Sequence, residues 1–159
     1  MTTSDANTLP TITISADVDQ LAGVRAFVRQ QVAAAGGNDE TTSDLVQAVD
    51  ELVCNVIGHG YAGQPGAIEI AFVETPDAIG FRIRDDAPVF DPTSVPEPPL
   101  DQPIGQRRLG GMGVHLARAL TDEFDHRILP TGGNEVTVRK LRPTRGEATD
   151  GHHDRAPEH

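Results

Sequence analysis

The run Asp44–Tyr61, DLVQAVDELVCNVIGHGY, is the stretch that admits the fewest folds. Leu45, Val49, Leu52 and Val56 recur at i, i+4, i+7 and i+11, so they share one face of a single amphipathic helix that runs into a glycine-rich turn. Val46, Val53 and Ile57 widen that face on one flank. Glu51 and Asn55, four apart and hence stacked, lie on the opposite flank. Such a helix must bury its stripe against something, and the rest of the chain supplies mainly strands.

Thr11–Ile14 alternates beside Pro10, which predicts a short first strand at a sheet edge. Ser15 or Asp17 can cap a following helix with Leu21, Val24, Phe27 or Val28, and Val32 inward, stopped by Gly36 and Gly37. Asn38–Ser43 is rich in capping residues and precedes the second helix, with Asp39 and Glu40 near its positive end. Ile68, Ile70 and Phe72, a turn at Pro76 and Asp77, then Ile79, Phe81 and Ile83 predict a hairpin with one buried face. Glu123–Leu129 and Glu135–Leu141 read as a second hairpin. Between the two hairpins, prolines at 88, 92, 96, 98, 99 and 103 keep the backbone extended or turning, which points to a lid or binding loop, or else to a disordered segment. The segments 1–9 and 142–159 are polar, lack apolar spacing and are expected to be disordered, leaving one domain over 10–141.

Charge and cysteine content narrow the function classes. A formal net charge of -11 argues against nonspecific nucleic-acid binding, which needs clustered Lys and Arg. A single cysteine, Cys54, excludes an intrachain disulfide, and no apolar run suggests secretion or membrane insertion, so a cytoplasmic protein is expected. Cys54 is expected on the helix side away from the apolar face, with no activating neighbour. His152, His153 and His159 sit in the tail with nothing to converge them on a metal, and His59 is expected to fix the helix exit.

The segment LGGMGVHLARAL places Gly110, Gly111 and Gly113 at the opening of a third helix, where unshielded N–H groups and the helix dipole favour an anion. The order of Glu/Asn helix, strand-terminal Asp85, long proline-rich loop and glycine-rich turn resembles the GHKL family of ATP-binding domains. Within it, Glu51–Tyr61, DDAPVFDP at Asp85–Pro92, RRLGGMGVHLARALTDEF at Arg107–Phe124 and GGNEVTVRK at Gly132–Lys140 resemble the bacterial anti-sigma factor serine kinases, the RsbW-like regulators.

The resemblance implies an α/β (α+β) two-layer sandwich of the Bergerat type, with a mixed, mostly antiparallel sheet, helices on one face and an ATP lid at about 92–109. It implies ATP and Mg2+ as ligands, with Asn55 binding Mg2+ through its carboxamide oxygen. Glu51 would accept the proton of an attacking serine hydroxyl; Asp50, the rival base, projects about 100 degrees away around the helix. Asp85 would accept from the adenine amino group. Ala87, Gly110, Gly111, Met112, Gly113 and Val114 would border the nucleotide, with Arg107 or Arg108 adding charge and Thr137 near the base. The family's D-x-G-x-G or D-x-G-x-P is altered here, the first glycine being Ala87 and the next position Val89, so a methyl would crowd the base and a valine would restrict the turn. Leu109 likewise stands in place of the superfamily's first glycine.

The implied function is an ATP-dependent serine/threonine kinase that regulates transcription by partner switching. It would sequester a sigma factor and phosphorylate an anti-anti-sigma (STAS-domain) partner, as a homodimer. Two other classes stay open: a non-catalytic binding module of the same fold, and a free-standing ATPase.

Overall fold

The computed structural model describes residues 9–88 and 111–142. The expected lid at 92–109, Val89, Arg107, Arg108, Leu109, Gly110, the leading residues 1–8 and the tail histidines at 152, 153 and 159 lie outside the described residues.

β1 (Thr11–Ser15), α1 (Leu21–Ala34), α2 (Asp39–Asn55), β2 (Ala67–Glu74), β3 (Ala78–Asp85), α3 (Gly111–Leu120), β4 (Glu123–Ile128) and β5 (Asn134–Leu141) follow one another along the chain. The sheet order is β1-β2-β3-β5-β4, which puts the first strand at an edge as its alternation beside Pro10 predicts. All pairings among the described residues are antiparallel, where the family expectation allowed a mixed sheet.

Register builds the core in rows. Ile12, Ile70, Ile83 and Val136 line up across four strands, and Phe72, Phe81 and Val138 form the next row. These side chains face α1 and α2, whose Val24, Val28, Val32, Leu45, Val49 and Val53 are fully buried against them. Phe81 meets Phe27 of α1 edge-on at 6.1 Å and Phe72 at 5.6 Å. The other face of the sheet carries ion pairs instead, among them Arg84 with Glu135 at 2.6 Å and Arg82 with Glu69 at 3.7 Å.

Local chemistry sets the helix ends. Gly36, at φ +80°, closes α1: its N–H reaches Ala33 O and that of Gly37 reaches Val32 O, which satisfies carbonyls the helix leaves open. Asn38 caps α2 by accepting from Thr41 N at 2.8 Å, so α2 starts at Asp39 and absorbs the Asp39–Ser43 run into its first turns. The helix does not run uniformly to Tyr61. It passes at Val56–Gly60 into a single π-helical turn, a local widening frequent at functional sites.

Two other expectations change. Cys54 is half-buried and packs against the core from the α2 flank, because α1 lies over that side. Arg142, assigned to the tail, is docked: Nη1 donates to Ala35 O at 3.1 Å and Nη2 pairs with Glu74 at 2.5 Å.

A buried Asn55–Asp85–Asn134 cavity beside an acidic groove

One row of the inner face is not apolar. β3 ends at Asp85, β5 begins at Asn134, and the register sets the two directly opposite each other in line with Ile68 of β2. The approach is close because Gly133 adopts φ +100°; a Cβ there would stand 2.2 Å from the Asp85 carbonyl oxygen. Asp85 Oδ1 accepts from Ala87 N at 3.0 Å and from Asn134 Nδ2 at 3.1 Å. Burial pushes the Asp85 carboxyl up from its ordinary value, and these two hydrogen bonds offset part of that rise.

Asn55 reaches the same place from α2. Together with Leu52, Val56, Gly60, Ile83, Asp85, Asn134 and Val136 it lines a cavity of about 20 Å³. The three polar members, Asn55, Asp85 and Asn134, are 3%, 5% and 4% exposed. The Asn55 carboxamide makes no hydrogen bond among the described residues, and its polar atoms are not among the fully buried unpaired ones, so its oxygen is open to a ligand or to water. A hard oxygen donor of that kind fits Mg2+, which accepts one or two protein ligands and completes its shell with water and phosphate oxygens. No group of three or more His, Cys, Asp or Glu able to hold a metal is found among the described residues. A volume of about 20 Å³ admits one water and no purine.

Glu51, one turn before Asn55, does not line that cavity. It lies on a groove of about 590 Å³ between α1 and α2, with Arg25, Arg29 and Asp50. Asp50 is engaged: Arg25 Nε donates to its Oδ1 at 2.7 Å. Glu51 has no ion pair or hydrogen bond among the described residues, and burial, then the nearby Asp50 charge, push its carboxyl upward. Cys54 is pushed up too, by burial and then by Asp50 and Glu51, which keeps it a thiol.

Of the glycine-rich turn, Gly111 is the first residue of α3, which packs along α2 and buries Val114 and Ala117 completely. Its first-turn N–H groups, those of Gly111 to Val114, are the donors that a helix cannot pair within itself. Ala87 is 2% exposed and its methyl packs on Gly60, a lining residue of the cavity, where an added Cβ would stand 3.0 Å away. Thr137 is a correction of position. It pairs with Arg82 and Asp125 on the ion-paired face, because strand alternation sends it away from Asp85.

Two contributors escaped the sequence reading. Asn134 opens β5 after two glycines, a signal visible in GGN but meaningful only once the register is known. Tyr61 ties the turn after α2 to the site: its hydroxyl donates to Ala67 O at 2.6 Å and accepts from Asp86 N at 2.9 Å.

Residues 14–140 match the family model of the histidine kinase-like ATPase domain. Among curated proteins, the chain is 31% identical over 75 residues to the serine/threonine-protein kinase BtrW of Bordetella bronchiseptica, covering 46% of this chain and 53% of that protein. It is 33% identical over 94 residues to the serine-protein kinase RsbW of Oceanobacillus iheyensis, covering 55% and 59%. A serine-protein kinase RsbW of Listeria monocytogenes is 28% identical over 94 residues. The matches thus span little more than half the length of these relatives.

Proposed function

The chain belongs to the histidine kinase-like ATPase domain family, and from that premise we propose that it is an Mg-ATP-dependent serine/threonine protein kinase of the anti-sigma type. The observation that carries this reading is the meeting of Asn55 and Asp85 in one buried cavity, with Glu51 one turn away on an open groove. In it, 10–141 is the catalytic domain and 92–109 its lid.

Asp85 accepts from the adenine amino group, and the N–H groups opening α3 meet the phosphates. Asn55 would hold Mg2+ through its carboxamide oxygen, and the ion would supply charge neutralisation at the transferring group. Arg108, Gly110 and Met112 border the nucleotide in the same reading. Glu51 takes the proton of the acceptor hydroxyl as that oxygen bonds to the γ-phosphorus and the bond to ADP breaks. The products are ADP, a phosphoserine and protonated Glu51. Arg25 favours Glu51 over Asp50 for this role, since Asp50 is committed to an ion pair. The acceptor is a small anti-anti-sigma protein of the STAS class, the sequestered partner is a sigma factor, and the working unit is a cytoplasmic homodimer.

The test uses the purified full chain with Mg-ATP and an acceptor recovered from the native host by pull-down. Glu51→Gln is expected to keep ATP binding and to lower transfer by about a hundredfold to ten-thousandfold. Unchanged transfer would remove Glu51 from the mechanism. The small cavity favours a second reading, a non-catalytic sequestering module, and that reading requires no ATP binding at millimolar nucleotide.

A further inference from the structure

Asn134 is the cavity's third polar side chain, and the reaction above gives it no task. Its environment is specific. Nδ2 donates to Asp85 Oδ1 at 3.1 Å and lies 3.5 Å from Ala87 O and 3.4 Å from Pro88 O, while Oδ1 faces His126 Nε2 at 3.4 Å. Turning the amide over would set its oxygen against the Asp85 carboxylate and its NH2 against a ring nitrogen that can itself donate, so the contacts select one orientation. A chain of polar contacts therefore crosses three neighbouring strands, from His126 on β4 through Asn134 on β5 to Asp85 on β3.

The consequence falls on the two carboxylate oxygens. Both protein donors, Asn134 Nδ2 and Ala87 N, converge on Oδ1, and Oδ2 receives no hydrogen bond among the described residues. A carboxylate rotates easily about its last torsion, so without the Asn134 clamp only Ala87 N would hold the group and its plane would swing more widely. With it, one oxygen is held and the other is presented. A 6-amino purine offers a hydrogen to such an oxygen, whereas a 6-oxo purine offers a lone pair and is repelled.

We propose that Asn134 is a positioning residue that sets the purine specificity of this site, fixing Asp85 so that a bare acceptor oxygen faces the 6-substituent. The inference rests on the nucleotide reading of the cavity, and its test separates the two.

Equilibrium binding of ATP and ITP, which differ at the purine 6-position, is measured on the full chain and its variants. Wild type is expected to prefer ATP by about a hundredfold or more. Asn134→Ala is expected to lower that ratio at least about tenfold, mostly by weakening ATP. Asn134→Asp sets two acids side by side that share a proton between them, so Asp85 loses its amide clamp and part of its charge and the preference for ATP falls as in Asn134→Ala. His126→Ala loosens the same amide from the edge strand and lowers the ratio less; it decides the matter if Asn134→Ala does not fold. A folded Asn134→Ala, or failing that His126→Ala, with the wild-type ratio overturns the inference. If Asp85→Asn abolishes ATP binding in that same series, the nucleotide reading stands without it. Wild type that binds no ATP at millimolar concentration overturns both.

Discussion

Asp85 carries a carboxylate into a nearly closed space, and its effect on stability has a definite sign. Because burial raises its folded-state pKa, the native chain holds a proton that the unfolded chain has released as pH climbs through and above the usual carboxylate range. The contribution to stability is complete below that range and is lost as pH rises through the elevated folded value. Asp85→Asn keeps an oxygen able to accept from Ala87 N and Asn134 Nδ2 but removes the charge. It is expected to be more stable than wild type at pH 7 by about 1 kcal/mol, or about 4 °C in Tm, with the difference vanishing at acid pH, while ATP binding is lost. Thermal melts at several pH values read this, and a variant less stable at neutral pH would contradict it. Gly133→Ala should fail in the opposite sense. Its φ of +100° and the 2.2 Å approach of a Cβ to Asp85 O leave alanine no room, so about 2 kcal/mol or more of destabilisation is expected in urea titration. Neither position announces this from the sequence. Asp85 is legible as a strand-terminal acid, whereas the polar row it forms with Asn134 requires the β3–β5 register, which pairs residues 49 apart.

Helix α2 shows which parts of an element periodicity can and cannot reveal. Its apolar stripe and the stacking of Glu51 over Asn55 follow from a 3.6-residue period alone, and the structure buries Leu45, Val49 and Leu52 as that period requires. What periodicity omits is the neighbour on the other side. α1 covers the Cys54 flank and sends Arg25 to Asp50, so the two carboxylates at 50 and 51 meet different surroundings although they are adjacent in the chain. The start of α2 was legible only as a region, since Asn38–Ser43 contains several residues able to cap. The hydrogen bond from Thr41 N to Asn38 Oδ1 makes Asn38 the cap. Asn38→Ala should therefore cost about 1 kcal/mol, and Asn38→Gly or Asn38→Ser less. Because the cap lies far along the helix from Asn55, ATP affinity in a folded Asn38→Ala variant is expected to stay at the wild-type value. A fall in affinity parallel to the fall in stability would mean that the cavity depends on the far end of α2.

At the scale of the molecule, the site exists only where two layers are held in register: Asn55 comes from the helical layer and Asp85 with Asn134 from the sheet. Polar ties between the layers are few, Lys140 to Asp44 at 2.8 Å being one, so apolar contact must do most of the alignment. Phe81 is the centre of that contact, fully buried between Phe72 of its own sheet and Phe27 of α1. Phe81→Ala removes both ring contacts and leaves a void under α1, a change worth about 3 to 5 kcal/mol against a total stability of about 5 to 15 kcal/mol for domains of this size. Phe81→Leu restores most of the volume and should cost about half as much. If the layers align through this contact, the two variants should weaken ATP binding in the same order as they lower the urea midpoint. Asn55→Ala makes the contrasting case, because it removes the proposed Mg2+ ligand without touching the ring contacts; it should abolish Mg2+-dependent nucleotide affinity at nearly unchanged stability. A Phe81→Ala variant that melts early yet binds Mg-ATP as tightly as wild type would show that the cavity is assembled by the sheet edge and the turn after α2, through Tyr61 and Asp86, and not by the core beneath it.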